Sequence, residues 1–174
     1  MNGSVGTRLE CDPAPGAGYF VGAPTQAGGM VVYTPEGPAP AALEAAAREA
    51  LVAETDWEIA EADPELVERE LSVSTWRGPG GRFALVEGRR RIDGGCGGEQ
   101  TVWSAVYPMK GNRLGSRLGG FVQAQWADSV GLVDVDGDGR PERVVTTFPA
   151  TTSVVGDDGG VRAEQATDDC DCPY

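Results

Sequence analysis

Asp134, Asp136 and Asp138 stand at alternate positions, with Gly139 directly after them and Glu142 three residues beyond that glycine. Carboxylates crowded at this spacing repel one another when ionised, and Gly137 and Gly139 leave the backbone between them costly to fix. A hard divalent cation removes both penalties. Calcium takes six to eight oxygens, and the loops that deliver them place carboxylates at positions one, three and five, a glycine at six, and a backbone carbonyl at seven. Here those positions fall on Asp134, Asp136, Asp138, Gly139 and Arg140.

An EF-hand would add a bidentate glutamate at position twelve, but that position is Val145, so Glu142 at position nine must take over. A D-x-D-x-D-G-x-x-E loop of this shorter kind resembles the calcium loops of FG-GAP and related integrin-type repeats. That resemblance implies a loop between two β-strands and a metal held by Asp134, Asp136, Asp138, Arg140 and Glu142. It covers about twenty residues. The flanks agree with it, since residues 129–133 and 143–148 are short β-branched runs without helical spacing, which makes 129–148 a calcium-binding hairpin. Two other readings stand beside it. Asp-Gly is a favoured turn dipeptide that need bind nothing, and magnesium could compete, although it demands near-octahedral geometry and keeps its waters. With no ligand at position twelve, the expected affinity is that of extracellular modules, a dissociation constant of roughly 10⁻⁵ to 10⁻³ M.

The elements that must position this loop follow from periodicity. Leu43, Ala46, Ala47, Ala50 and Leu51 line one face at three- and four-residue spacing, which predicts a helix over 41–54 after Pro38 and Pro40. Asp63 followed by Pro64 is a helix-start signature and predicts a second, short helix whose buried side is Leu66, Val67 and Leu71. Strands are expected at 18–22, 30–34, 71–76, 82–88, 100–107 and 120–126, with Gly78-Pro-Gly-Gly81 as a hairpin turn. The fold class is therefore α+β, a mainly antiparallel sheet with one or two helices in the N-terminal half. Residues 1–16 read as an irregular arm, 17–150 as a single domain, and 151–174 as an acidic, solvated tail tied down by its cysteines. No second alternating-aspartate loop exists in the sequence, and one copy cannot build a propeller.

A chain of 174 residues is long enough to bury a real core, and no run approaches the length of a transmembrane helix. Residues 1–8 hold no apolar stretch, so either the protein is cytosolic or an export signal is missing from this sequence. Cys11, Cys96, Cys170 and Cys172 favour export. An even count fits an oxidising compartment, with Cys11 and Cys96 each bridged to the C-terminal pair; zinc binding or four free thiols are the alternatives. Calcium is also abundant outside cells. Lys110 is the sole lysine among abundant Arg, Ala, Gly and Pro, which points to a GC-rich bacterial genome. The expected location is extracytoplasmic: periplasm, cell surface or secreted, including a lipoprotein.

The net charge of −13 is uneven. Acids crowd 36–70 against only Arg48 and Arg69, whereas bases dominate 77–117 against Glu87, Asp93 and Glu99. No nucleic-acid motif accompanies the basic stretch, so its arginines are expected to answer acids on neighbouring elements. The absence of histidine removes the commonest general base and any Ser-His-Asp or Cys-His arrangement within the chain, and neither a phosphate loop nor a dinucleotide fingerprint occurs. Catalysis would have to rest on acids such as Glu58 with Glu61, or Glu68 with Glu70. The sequence thus favours a non-catalytic, calcium-binding, disulfide-stabilised module that meets a protein or glycan partner, with Trp76, Trp103, Tyr107 and Trp126 as candidate contacts. A carboxylate-dependent hydrolase with a structural calcium is the alternative.

Overall fold

The computed structural model describes residues 30–58, 67–92, 99–147 and 151–166. Their elements run β1 (Val31–Val32), β2 (Thr34–Pro38), α1 (Ala41–Glu54), β3 (Val67–Gly78), β4 (Gly81–Ile92), β5 (Glu99–Lys110), β6 (Arg113–Leu114), β7 (Leu118–Gln125), β8 (Ala127–Asp134), β9 (Glu142–Thr147), β10 (Thr151–Val155) and β11 (Val161–Ala166). Two antiparallel sheets result. One has the order β1-β8-β9-β10-β11; the other has β2-β3-β4-β5-β6, with β7 also paired to β5.

The pleat of β4 and β5 explains the layering. Phe83, Leu85 and Val106 point to one side and meet Leu132 of the first sheet and Tyr33. Ala84, Val86, Ala105 and Tyr107 point to the other and meet Leu43 and Ala47 of α1. A strand buried on both faces needs apolar residues at consecutive positions, and Phe83-Ala-Leu-Val86 supplies them. The order of layers is therefore helix, second sheet, first sheet. Two junctions carry the chain between sheets. Tyr33 separates β1 from β2, and Trp126, at φ 50°, separates β7 from β8 while its amide donates to the Gln100 carbonyl at 3.0 Å.

The expected mainly antiparallel sheet and the N-terminal helix are present, the helix with its predicted bounds and with Leu43, Ala47 and Leu51 buried. The second predicted helix is not found among the described residues. Val67 and Leu71 lie in β3, whose ladder continues to Val67↔Ile92, while Asp63 to Leu66 lie outside the described residues. Its cross-strand pairs, Glu68 opposite Arg91 and Glu70 opposite Arg89, supply complementary charge that a local helix would forgo. The tail expectation is also corrected. Thr151–Val155 and Val161–Ala166 are strands, because a β-branched run at 151–155 adds to the free edge of β9 and confines Asp157 and Asp158 to the intervening turn. The predicted arm at 1–16, the strand at 18–22 and all four cysteines lie outside the described residues.

Candidate metal centre

The predicted hairpin forms with β8 and β9 as its arms, Val133↔Glu142 being the last ladder pair before the loop. Within the loop the side chains act first on the backbone. Asp134, 3% exposed, accepts the amides of Gly137 at 2.6 Å and Gly139 at 2.9 Å, one on each carboxylate oxygen. Asp136 accepts the Asp138 amide at 3.1 Å, and Asp138 accepts the Arg140 amide at 2.7 Å. These short-range bonds wind the chain into a tight turn that Gly137 at φ 79° and Gly139 at φ 81° accommodate without a Cβ clash.

The winding brings Asp134, Asp136 and Asp138 together, with one potential ligand oxygen from each lying within 4.8 Å of the others. The first is buried and the other two are exposed, so the group could hold a metal ion between a fixed inner carboxylate and two adjustable outer ones. Asp-only oxygen donors match a hard cation. Glu142 sits against the same loop but outside that group, since its Oε2 accepts the Val135 amide at 3.0 Å. Burial raises its carboxyl above the usual range; the Val135 amide opposes this, and Asp136 and Asp134 add to it. Arg140 turns its guanidinium away to pair with Asp157 in the β10–β11 turn, which leaves its main chain on the loop.

Two supports of the loop carry no signal in the local sequence. Tyr33 Oη donates to the Gly139 carbonyl at 3.0 Å, across 106 positions. The β3–β4 turn presses on the same peptide, and a Cβ on Gly80 would lie 1.8 Å from the Gly139 oxygen. A close approach of two backbones requires glycine there.

Elsewhere the arginine run is answered as expected. Arg89 pairs with Asp128 and Glu70, Arg90 with Asp56, and Arg117 with Glu54. The candidate aromatic contacts are mostly core. Trp103 and Tyr107 are buried, Trp76 is half-buried against the Tyr33 cluster, and Trp126 is exposed. No helix among the described residues is long and apolar enough to cross a membrane. No protein-family model matches the chain, and no match is found among the curated proteins or the solved structures.

Proposed function

We propose that the chain is a non-catalytic calcium-binding module of the bacterial cell exterior, stabilised by disulfides among Cys11, Cys96, Cys170 and Cys172. Its role on this reading is binding or adhesion toward a protein or glycan, or service as an accessory of an envelope assembly. The observation that carries the proposal is the convergence of Asp134, Asp136 and Asp138 to within 4.8 Å, while the nearest guanidinium along the chain, Arg140, is engaged by Asp157. Three carboxylates held this close, without a cation among them, repel; a bound divalent ion reverses the sign of the interaction. The FG-GAP-like spacing supports calcium over magnesium and assigns the fourth carboxylate to Glu142 and a main-chain oxygen to Arg140. At free calcium about a hundredfold above the dissociation constant, the ion would stabilise the fold by about 2.7 kcal/mol.

A thermal melt in calcium, magnesium and chelator, repeated on Asp136→Ala, tests this. The expected result is a calcium-specific rise in Tm that the variant loses. Equal melts of the parent in calcium and chelator would reduce the loop to an ordinary turn.

A carboxylate-dependent hydrolase is the second reading, favoured by one surface hollow lined by Glu68, Glu70, Arg89, Arg91 and Gln100. Both glutamates there are exposed and stand opposite arginines in the ladder, without the apolar burial that makes a carboxyl a proton donor. Hydrolysis of a glycan panel that Glu70→Gln abolishes would move the assignment to this reading.

A further inference from the structure

Independently of the metal centre, a cavity of about 240 Å³ lies between the two sheets. Val102 and Val122 wall it from one sheet, and Val145 and Val155 from the other. Ser104, 4% exposed, is a polar group of its inner wall, while the exposed Val161 and Glu164 mark its mouth.

Behind Ser104 stands Arg143, 2% exposed. Its Nη1 donates to the Ser104 carbonyl at 2.6 Å and to Ser104 Oγ at 3.2 Å, and its Nη2 donates to the Gly156 carbonyl at 2.9 Å. All three acceptors are neutral. Burial lowers the guanidinium's proton affinity, to a pKa of about 10, so it remains charged at neutral pH. The acid whose field reaches it, Asp157, is already paired with Arg140, and among the described residues no carboxylate forms an ion pair with Arg143. Buried charges are ordinarily paired, so this one leaves a positive potential beside the Ser104 wall of an apolar cavity. Ser104 Oγ transmits it. That oxygen accepts from Arg143, and its own proton has no acceptor among the described residues, which leaves a strengthened donor available to an occupant.

We propose that the cavity binds a short aliphatic carboxylate, its chain against the valines and its carboxylate on the Ser104 hydroxyl, with Arg143 supplying the countercharge. Volume sets the length. A cavity of about 150 Å³ holds one benzene, so this one takes about ten non-hydrogen atoms, the size of octanoate.

The test titrates the full chain with octanoate, octanol and octylamine at pH 7, following amide chemical shifts. Octanoate is expected to give saturable shifts centred on Val102, Ser104, Val122 and Val145, with octanol at least tenfold weaker and octylamine weaker still. Ser104→Ala is expected to bring octanoate down to the octanol affinity without changing octanol, and Val122→Trp to abolish both. Octanol binding as tightly as octanoate, a preference for octylamine, which would place the head group at Glu164, or no saturable shift with any of the three would overturn the proposal. The three-ligand comparison uses the parent protein and stands even if a variant fails to fold.

Discussion

Tyr33 Oη donates to the Gly139 carbonyl at 3.0 Å, so the residue joining β1 to β2 also holds the tip of the β8–β9 hairpin. The tyrosine ring is buried against Phe83 in an edge-on contact, with centroids 5.4 Å apart, and cannot follow the loop if the loop moves. Tyr33→Phe keeps the ring and removes one hydrogen bond. It should cost about 1 kcal/mol in chelator, measured by urea unfolding, and weaken the proposed calcium binding by a few-fold in calorimetry, because the Gly139 peptide loses its tether. An unchanged calcium affinity would separate the tyrosine from the metal site.

The three aspartates are not equivalent. Asp134 holds the two amides of Gly137 and Gly139 from a buried position, whereas Asp136 and Asp138 each hold one amide at the surface. Asp134→Ala should therefore destabilise the protein even in chelator, by about 2–3 kcal/mol, since it leaves two amides without a partner. Asp136→Ala and Asp138→Ala should lie within about 1 kcal/mol of the parent in chelator and lose most of the calcium response. Denaturant unfolding of the three variants with and without calcium checks both halves. Equal effects in chelator would contradict the difference in burial.

Gly80 and Gly139 meet backbone to backbone, which makes the β3–β4 turn part of the loop's support. Gly80→Ala puts a methyl group 1.8 Å from a carbonyl oxygen that has no flexible side chain to yield. The expected cost is about 1–3 kcal/mol, with a loss of calcium affinity larger than that of Tyr33→Phe. A melt and a calcium titration on this variant decide the matter.

Legibility in the sequence followed the range of the interactions. Residues 41–54 announce a helix because Leu43, Ala47 and Leu51 repeat at the helical period, and Gly78-Pro-Gly-Gly81 announces a hairpin because turn chemistry is local. The aspartate spacing was legible for the same reason: its first bonds span two to five residues. What could not be read was settled at a distance. Val67 and Leu71, expected on the buried side of a second helix, pair instead in a ladder with residues 88–92. Likewise, the strand at 151–155 exists because β9 offers an edge. Tyr33 and Gly80 carry no local mark of a partner more than fifty positions away, and the expected aromatic contacts Trp103 and Tyr107 are covered by a helix whose docking face no single residue reveals.

Glu87 gives a pH dependence separate from the candidate metal loop. Its carboxylate accepts the Ser129 amide at 3.2 Å across the sheet interface. Burial is the largest influence and raises its proton affinity; the Ser129 contacts and Arg89 oppose it, and Asp128 adds to it. A carboxyl raised in the folded state is more easily protonated there than in the unfolded chain. Its contribution is thus fully present below the ordinary glutamate range and is lost as pH rises through the raised value. Glu87→Gln should remove that fall, so that the variant matches the parent at low pH and exceeds it at pH 7. Chelator-buffered denaturant curves from pH 4 to 8 measure the difference, and a parent curve parallel to the variant's would contradict the sign.

Arg143 fastens the two sheets where the β5–β7 ladder breaks register between Ser104 and Val106. A bulge of this kind leaves main-chain groups without ladder partners, and the guanidinium serves the Ser104 carbonyl while also reaching the Gly156 carbonyl beyond β10. Two acceptors on two sheets need a planar, forked donor. Arg143→Ala should cost about 3 kcal/mol, since the Ser104 carbonyl loses the guanidinium, the Gly156 carbonyl keeps only the Gly159 amide, and a gap opens beside them. Arg143→Lys should recover less than half of that, because one ammonium cannot satisfy both oxygens in the same geometry. If Arg143→Met equalled the parent in urea unfolding, the guanidinium would be dispensable to the fold, and its burial would then serve only what enters the cavity lined by Ser104.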